Sequence, residues 1–561
     1  HDWAADNVVS GAEAARLRER LDAWCGMAAG GDGEVIEPQQ MDAEQRFAYR
    51  IHEAKIDERE KLEREGRMAE FSALRMLLTG PPGAGKSRTV RAIASLRKQK
   101  AGEAAMQKGM EQGLSHSKLE QTVEEATRSA CVLGAPTGTA AFQMKSAATT
   151  LHRLFGIPIG ACAPTKNEST LARRARRLKA ATLIALDEFS MIGRQMLGKI
   201  KYKVDEALGS ERGNVGRVRS MGGKDVMFSG DPDQAAPIGD DSFHKEGASK
   251  TEGVKQGGQG NGKGRTLPEG AVETWQLSDS GLAFRKEFDD VVLLETRHRL
   301  VDPKKEQVSE ELVGEFTDDL ERFRTVMERL ADLSLTEEDH EWLSRRNKSR
   351  LPAHVRKSFE EAPLLMDTKK QRVERGGEAT QLDGADYKNL EELYKLAARK
   401  GVPVARFRSH HKKREGEGEL RADLMDDDDF GLAAELQLCE GARILLTRNL
   451  WVEAGLVNGS MGTVKGFVWP TGGDPASSDP LKRAPICVVV EFDDIQLDEV
   501  AKAEDGAKRV VNRRRFFEDV VVENPDGSSS VIDRSRWVPV YRVEASSKAD
   551  EDVKRQQFPL T

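Results

Sequence analysis

The stretch of this chain that most restricts its fold is a glycine-rich turn at residues 80–87, Gly-Pro-Pro-Gly-Ala-Gly-Lys-Ser. Glycines in such a turn let backbone N–H groups close around phosphates. Lys86 would then reach the outer phosphates, and the hydroxyl of Ser87 would face Mg²⁺. The preceding residues 74–79 suit a buried strand, and residues 90–96 place apolar side chains on one helical face. This order of strand, turn and helix predicts a phosphate-binding loop, and therefore a nucleoside triphosphate site.

A second buried strand is predicted at residues 182–186, and it ends in the adjacent acids Asp187 and Glu188. Two carboxylates at the end of a buried strand are costly unless a cation pairs with them. Mg²⁺ held by Asp187, with Glu188 orienting the attacking water, accounts for both. The structural alternative is a pair of helix-capping acids.

Other polar segments also follow apolar runs. Residues 135–141, 230–237 and 295–299 each come directly after such a run. Open parallel α/β sheets bind ligands just beyond the carboxyl ends of their strands. We therefore predict an α/β fold in which these segments meet at one crevice.

Three features of this region allow two interpretations each. Gln45 either completes a capping box behind Asp42 or presents its amide to the edge of adenine. His152 is either a packed histidine or a contact to nucleic acid. The basic segment 171–179 is either a solvated helix face or a contact to the DNA backbone.

Composition limits the class of protein. The 561 residues suffice for about three or four domains, and 32% of them are charged. The formal net charge is −7, so any polyanion must meet a local basic path rather than a basic molecule. The five cysteines form no CxxC pair, which argues against zinc ribbons and disulfide scaffolds and favours a reducing compartment. No apolar run approaches the roughly 20 residues that a membrane helix needs.

Three polar stretches are predicted to lie at the surface. Residues 1–38 contain a short amphipathic helix and a glycine-rich link, and are predicted to be a flexible lead-in. Residues 98–129 are predicted to be a solvated helical insertion. Residues 408–414 are basic and are predicted to form a loop that can touch phosphate.

Taken together, the motifs resemble those of the Pif (petite integration frequency) helicases, superfamily 1B DNA helicases related to RecD. The resemblance runs in order through residues 41–45, 80–87, 135–141, 150–152, 187–191, 222–226, 230–234, 294–299, 316–345, 441–449 and 455–464. So many motifs in one order are far more specific than any one of them.

The resemblance implies a P-loop NTPase with tandem RecA-like domains, the second incomplete, and a small SH3-like β-barrel insertion. The expected domains are the lead-in at 1–38, a first RecA-like ATPase domain at 39–300, a helical linker with a partial second RecA-like domain at 301–454, and an SH3-like β-rich domain at 455–561. Short β-rich runs separated by turns after residue 455 agree with the last of these.

The resemblance also implies roles for individual residues. The catalytic set would be Lys86, Glu188, Gln234 and Arg299, with Ser87 and Asp187 on Mg²⁺. Nucleotide would be bound by Gln45, Gly80, Pro81, Pro82, Gly83, Ala84, Gly85, Lys86, Ser87 and Arg88. Pro136, Thr137, His152 and Asn458 would lie along single-stranded DNA. Arg299 would be the arginine finger because its distance from Leu294 matches the family spacing; Arg297 competes for this role.

The implied activity is that of an ATP- and Mg²⁺-dependent 5′→3′ DNA helicase or translocase. Its implied partners are single-stranded DNA and DNA junctions, without a membrane, and a monomer is expected. An intracellular protein is expected, in the nucleus or mitochondrion if the source is eukaryotic, with roles in DNA repair, recombination and telomere maintenance.

The chain departs from the family pattern at its end. It stops before the Thr-x-His-Lys-Ser-Gln-Gly motif and the last arginine-bearing motif of the family. We therefore expect a piece of a longer helicase motor. The alternatives are an ATP-binding or DNA-binding module without efficient unwinding, and a RecD-like or transposon-encoded helicase.

Overall fold

The computed structural model contains two compact units. The first comprises residues 1–306 with 502–507, and the second comprises residues 307–501 with 508–561. The structure describes residues 16–18, 20–21, 36–145, 148–158, 161–209, 220–246, 270–298, 313–347, 349–358, 371–375, 378–383, 385–413, 427–471, 485–495, 498–502, 508–513, 515–523, 529–547 and 553–561. In these ranges no helix is long and apolar enough to cross a membrane.

The first unit is built on a six-stranded sheet. Its strands are β1 (Arg75–Thr79), β2 (Cys131–Ala135), β3 (Thr149–Thr150), β4 (Leu183–Leu186), β5 (Asp225–Gly230) and β6 (Asp290–Leu293). They lie in the order β3-β2-β4-β5-β1-β6, and every neighbouring pair is parallel. The carboxyl ends of all six strands therefore face one edge of the sheet, as the sequence predicted.

Helices connect these strands. They are α1 (Ala43–Arg64), α2 (Lys86–Glu111), α3 (His116–Ser129), α4 (Gly138–Met144), α5 (Leu151–Phe155), α6 (Glu168–Ala180), α7 (Arg194–Gly209) and α8 (Thr274–Arg285). Strands β2, β4 and β5 are buried along their whole length, which explains their continuous apolar sequences. The core includes Phe155, Ile184, Leu197, Phe228 and Phe284.

Charged side chains lie buried at the opposite, amino edge of the sheet. Asp225 opens β5 with no exposed surface and accepts hydrogen bonds from the backbone N–H of Leu74 (2.8 Å) and from Arg97 Nη1 (2.7 Å). Arg97 also lies 2.9 Å from Nδ1 of the buried His52 on α1. Burial, followed by the charge of Arg97, lowers the pKa of His52 well below its usual value. This cluster joins α1 and α2 to the centre of the sheet, because its buried polar groups stabilise one another.

Two further arginines accompany this cluster. Arg59 Nη2 lies 3.7 Å from Asp225 Oδ1, and its guanidinium stacks 4.3 Å from the ring centre of Phe71. Arg75, the first residue of β1, donates to the carbonyl of Lys224 at 2.7 Å. The amino edge of the sheet is therefore rich in buried positive charge.

Helices α7 and α8 pack at very short range through glycine. A Cβ at Gly198 would lie 1.9 Å from the carbonyl oxygen of Leu277, and one at Gly281 would lie 2.0 Å from that of Arg194. The N-terminus of α7 is held by Asp240, whose carboxylate accepts from the backbone N–H groups of Gln195 and Met196, both at 3.1 Å.

The helical character predicted for residues 98–129 is confirmed, but the prediction that they are a solvated insertion is wrong. They continue α2 and form α3, and Met106, Leu119 and Val123 are buried between the two helices. Leu17 and Leu21, from the predicted lead-in, pack into the same cluster. The charged residues had masked a narrow apolar face at helical spacing.

The second unit begins with helices and continues mainly with strands. Its helices are α9 (Val313–Ala331), α10 (Glu337–Ser344), α11 (Ala353–Ser358), α12 (Ala385–Lys400) and α13 (Asp427–Phe430). Its strands are β7 (Gln371–Arg375), β8 (Glu378–Asp383), β9 (Ala405–Arg408), β10 (His410–Lys413), β11 (Glu435–Leu438), β12 (Arg443–Leu445), β13 (Met461–Val468), β14 (Cys487–Phe492), β15 (Asp498–Lys502), β16 (Lys508–Arg513), β17 (Val520–Glu523), β18 (Ser529–Ile532), β19 (Trp537–Tyr541), β20 (Val543–Ser546) and β21 (Val553–Gln557).

The largest sheet of the second unit is antiparallel, with the order β12-β13-β14-β19. The β-rich character predicted after residue 455 is present in β13, β14, β17 and β19. In the described ranges these strands form an open four-stranded sheet and a separate β17–β18 hairpin. The SH3-like barrel therefore stays a prediction.

The basic residues predicted as a loop at 408–414 lie mainly in strands, so that prediction is wrong. Arg408 ends β9, and His410–Lys413 forms β10, which pairs antiparallel with β21. The buried Arg555 of β21 reaches across this pair to His411 Nε2 (2.9 Å) and Asp427 Oδ1 (2.6 Å). A partner more than 140 residues away in sequence thus overrides the weak strand propensity of His and Lys.

Candidate active site

The phosphate loop joins β1 to α2 and has the backbone that its glycines predict. Gly83 and Gly85 adopt φ values of 85° and 83°, a region that other residues rarely enter. Gly80 is required for space, because a Cβ there would lie 2.3 Å from the carbonyl oxygen of Leu294. Lys86 begins α2, so the helix N-terminus faces the loop.

Lys86 and Ser87 contact different groups at this loop. Lys86 Nζ donates to the carbonyls of Gly80 (2.6 Å) and Pro81 (3.0 Å). Ser87 Oγ donates to Asp187 Oδ2 at 3.2 Å. The phosphate loop and the acid at the end of β4 are therefore in direct contact, 100 residues apart in sequence.

Asp187 and Glu188 follow β4 at the carboxyl edge. Asp187 is buried, and burial is the main cause that raises the pKa of its carboxyl; hydrogen bonds and the charge of Lys86 oppose this shift. Burial and then the neighbouring Asp187 raise the pKa of Glu188 as well. Glu188 has a left-handed backbone (φ 55°, ψ 49°), which is unusual for a residue other than glycine.

A third acid lies on the adjacent strand. The buried Asp231 directly follows β5, and its charge also raises the pKa of Glu188. Asp231 organises the turn after β5, because its Oδ1 accepts from the backbone N–H of Asp233 at 3.0 Å. Gln234 lies in this turn, with its amide Nε2 3.5 Å from Asp231 Oδ2. The structure thus brings Lys86, Ser87, Asp187 and Glu188 together with the segment that carries Gln234.

The side chain of Gln45 contacts the phosphate loop, which neither interpretation of its sequence pattern predicted, and its contact to adenine stays a prediction. Asp42 caps α1 by accepting from the backbone N–H of Gln45 at 2.7 Å. The Gln45 side chain, however, is fully buried and donates to the carbonyl of Ala84 at 3.1 Å. Its Oε1 is buried and has no hydrogen-bond partner among the residues that the structure describes. A buried amide oxygen without a hydrogen-bond partner can accept a hydrogen bond from an N–H group of a ligand.

The segment after β6 lies beside the same loop. Leu294 donates its backbone N–H to the carbonyl of Thr79 (2.8 Å), and His298 donates its own to the carbonyl of Gly83 (2.8 Å). The side chain of His298 is half-exposed, with Nε2 2.7 Å from Asp42 Oδ2. Arg297 is partly buried in this segment, and Arg299 lies outside the described residues.

The predicted DNA residues fall into both units. Thr137, next to Pro136 at the end of β2, caps α4 by accepting from the backbone N–H of Ala140 at 3.2 Å. His152 is the second residue of α5, and burial followed by the charge of Lys199 lowers its pKa. These residues belong to the carboxyl edge of the first unit.

Asn458 belongs to the second unit, in the turn before β13. It is exposed and donates its backbone N–H to Asn449 Oδ1 at 2.8 Å. The structure thus gives it an accessible side chain on an ordered turn.

The basic segment 171–179 divides between structural and exposed residues. Arg174 is buried and donates to Glu206 Oε2 (2.5 Å) and to the carbonyl of Phe155 (3.0 Å). Arg173, Arg176 and Lys179 are exposed on α6. Arg174 is therefore structural, and the exposed residues agree with the solvated interpretation.

Sequence reasoning did not find His298 as a site residue. Asp231 was part of a noted motif but received no role. The position of Asp231 after an apolar strand was the available signal for it. His298 and Asp42 are 256 residues apart, and nothing in their local sequences indicates the pairing.

Comparison with family models gives two matches. Residues 65–240 match an AAA domain, and residues 431–467 match the 2B domain of the DNA helicase Pif1. The chain is therefore similar to the Pif1 helicases in this second region. The AAA match contains Lys86, Asp187, Glu188 and Gln234, which supports nucleotide binding by the first unit, and the Pif1 2B match contains Asn458.

The parallel sheet and the AAA match confirm the predicted α/β P-loop NTPase fold, and the resemblance to the Pif helicases is confirmed by the 2B match. A search of curated proteins finds no match.

Solved Pif1 structures also overlap with the chain. The Pif1 helicase from Candida albicans aligns at 17% identity over 93% of this chain and 83% of its own, with a TM-score of 0.47. Bacteroides Pif1 bound to ssDNA aligns at 16% identity over 90% of this chain and 80% of its own, with a TM-score of 0.39. Overlaps at this level decide neither fold nor function.

Proposed function

We propose that this chain is an ATP-dependent DNA helicase or translocase of the Pif type that moves 5′→3′ on single-stranded DNA. The observation that carries the proposal is the direct contact between the phosphate loop and the acid after β4, at 3.2 Å from Ser87 Oγ to Asp187 Oδ2. Together with the Pif1 2B match, this arrangement favours a motor that hydrolyses a nucleotide on DNA.

Nucleotide recognition is assigned to the loop and to Gln45. The backbone of residues 80–85, with Lys86, Ser87 and Arg88, would surround the phosphates. The unpartnered Oε1 of Gln45 would accept the exocyclic N–H of adenine, while its Nε2 stays on the loop carbonyl of Ala84. ATP is therefore the preferred nucleotide.

Mg²⁺ fits the donors that the structure places together. Ser87 Oγ and the buried carboxylate of Asp187 are hard oxygen ligands of the type that Mg²⁺ prefers. The raised pKa of Asp187 is the expected property of a carboxylate that a cation would stabilise. When bound, the ion would neutralise charge on the phosphates.

Hydrolysis is assigned to Glu188, Gln234 and an arginine after β6. Glu188 would accept the proton of the attacking water, and its raised pKa makes it a stronger base than an ordinary glutamate. Gln234 would contact the γ-phosphate, and Arg299 would stabilise the charge that develops on it. Arg297 is the competing candidate for the arginine.

DNA binding is assigned to Pro136, Thr137 and His152 in the first unit and to Asn458 in the second. Short polar side chains and an imidazole suit the sugar-phosphate backbone and bases of a single strand. Domains at 39–300, 301–454 and 455–561, the last with an SH3-like barrel, belong to this proposal. The proposal also includes that the protein acts as a monomer at DNA junctions, in the nucleus or mitochondrion if the source is eukaryotic.

Substitution of Lys86 tests the proposal. Lys86→Ala should abolish ATP hydrolysis stimulated by single-stranded DNA, because the outer phosphates lose their cation. Lys108→Ala, at the far end of the same helix, should leave the rate unchanged. Stimulated hydrolysis that survives Lys86→Ala would refute the site assignment. Polarity is measured by unwinding of duplexes with a 5′ or a 3′ single-stranded tail, and a preference for the 3′ tail would contradict the proposed direction.

A further inference from the structure

The segment after β6 crosses the phosphate loop and is attached to it at two points. Leu294 bonds to Thr79, the last residue before the loop, and His298 bonds to Gly83 within it. Both bonds are 2.8 Å and use backbone N–H donors on the segment and carbonyl acceptors on the loop side. The arginine candidates Arg297 and Arg299 stand on either side of His298 in sequence.

The side chain of His298 adds a third attachment. Its Nε2 lies 2.7 Å from Oδ2 of Asp42, and Oδ1 of the same carboxylate caps α1 through the backbone N–H of Gln45. One carboxylate therefore serves the start of the helix that carries Gln45 and the segment that carries the arginines. The Asp42 side chain is 17% exposed, which limits competition from water.

The space around this attachment is small. The carbonyls of the neighbouring Gly83 and Ala84 are held by His298 N–H and by Gln45 Nε2, respectively. A Cβ at Gly85 would lie 2.4 Å from Gln45 Nε2 and 3.6 Å from His298 Cδ2. A shift of the segment along the loop would therefore break several contacts together.

We propose that His298 is a positioning residue that fixes residues 294–298 across the phosphate loop, and that the contribution of Arg299 to phosphoryl transfer depends on this attachment. This inference rests on the proposed function. His298 acts through Asp42 and Gly83 and needs no contact with the nucleotide. Its loss should therefore change the rate of hydrolysis more than the binding of ATP.

Steady-state ATPase kinetics with saturating single-stranded DNA test the proposal. His298→Ala should lower kcat about 10-fold, the effect expected for loss of a hydrogen bond to a charged group, with KM within about twofold. His298→Gln should recover most of the rate, because its terminal N–H reaches a similar distance from the backbone. His116→Ala is the matched control, since His116 is similarly exposed and lies 4.0 Å from Glu120 on α3.

Two further variants separate positioning from general stabilisation. Asp42→Ser keeps a capping hydroxyl for α1 but cannot reach His298, so it should reproduce the defect of His298→Ala. In an Arg299→Ala background, His298→Ala should lower kcat by less than about twofold more, because both act through one group. Thermal melts of each variant confirm that the protein is folded.

Several results would overturn the inference. A raised KM at unchanged kcat would mean that His298 contacts the nucleotide itself. A full additional loss in the Arg299→Ala background would mean that it does not act through Arg299. An unchanged kcat in His298→Ala, with an active wild type, refutes only the positioning role. A wild type without DNA-stimulated ATPase activity refutes the proposed function.

Discussion

Asp187 and Glu188 are held in positions that do not favour their charged forms. Burial and mutual repulsion raise the pKa of Glu188, and its backbone is left-handed. Burial raises the pKa of Asp187 despite the hydrogen bond from Ser87. Such unfavourable groups persist where the surrounding sheet imposes them, and they are common at sites that bind cations or move protons.

Removing the charge of Asp187 should therefore stabilise the protein at neutral pH. The folded protein holds this proton more tightly than the unfolded chain, so stability falls as pH rises from the unfolded pKa through the raised folded value. Asp187→Asn should raise the melting temperature at pH 7.5, because the amide carries no charge to bury. The gain should shrink near pH 4.

Differential scanning calorimetry in EDTA measures both values, and Asp233→Asn, at an exposed site beyond β5, is the control. Equal shifts at the two pH values would contradict an ionisation effect. The same Asp187→Asn variant should lose ATP hydrolysis, which would show that stability is sacrificed for function at this residue.

At the scale of residues, the sequence predicted those site residues that belong to a local sequence motif. The phosphate loop, Asp187 and Glu188 each follow an apolar strand, so the same stretch of sequence predicts both the strand and the site residues after it. The sequence pattern of Gln45 fitted both a capping box and an adenine contact, and its bond to the carbonyl of Ala84, 39 residues away, is visible only in the structure. The bond between His298 and Asp42 depends on how β6 and α1 meet, which no local pattern specifies.

At the scale of elements, the contact between α7 and α8 predicts an unusual effect on stability when a helical glycine is replaced by alanine. Replacing a glycine within a helix by alanine normally stabilises it by about 0.5–1 kcal/mol. Gly198→Ala should instead destabilise the first unit by about 1–3 kcal/mol, because its Cβ would lie 1.9 Å from the carbonyl oxygen of Leu277. The atoms on both sides of this contact belong to the backbone, which cannot move aside as a flexible side chain could.

Urea unfolding followed by circular dichroism measures this change. Gly109→Ala on α2 is an informative comparison, because its nearest neighbour is the side chain of Leu119 at 2.4 Å and a side chain can move more readily than backbone. Gly198→Ala should be the more destabilising of the two. The reverse order would show that α7 and α8 can separate at little cost.

Elements with continuous apolar sequence were predictable, and elements defined by distant partners were not. Strands β2, β4 and β5 follow from their sequences because both faces of the sheet are covered by helices. Strand β10 does not, since His410–Lys413 acquires its conformation from pairing with β21. The order of the six strands also depends on crossover connections that local periodicity does not encode.

At the scale of the whole molecule, DNA binding should depend steeply on salt despite the net charge of −7. Neutralised phosphates release counterions, and log K against log salt should fall by about 0.7 for each phosphate contacted on a single strand. Asn458→Ala should weaken binding but leave the slope unchanged, because an uncharged side chain releases no counterion.

Fluorescence anisotropy of a labelled oligonucleotide between about 50 and 200 mM salt, a range in which such contacts are sensitive, measures both quantities. Binding that does not vary with salt would exclude a phosphate-tracking path. A changed slope in Asn458→Ala would show that this residue affects the charge of the path rather than contacting the strand directly.

The buried charges of the first unit are distributed unevenly between the two edges of its sheet. Arg59 and Arg97 lie against Asp225 at the amino edge, where Arg75 is also buried beside Glu287, whereas Asp187, Glu188 and Asp231 share the carboxyl edge with Lys86. Positive charge is thus in excess where the strands begin, and negative charge is in excess where they end. A triphosphate without a bound cation would add to the excess of negative charge at the carboxyl edge. This edge therefore favours a ligand that brings positive charge with it. Binding of such a ligand also stabilises the folded protein.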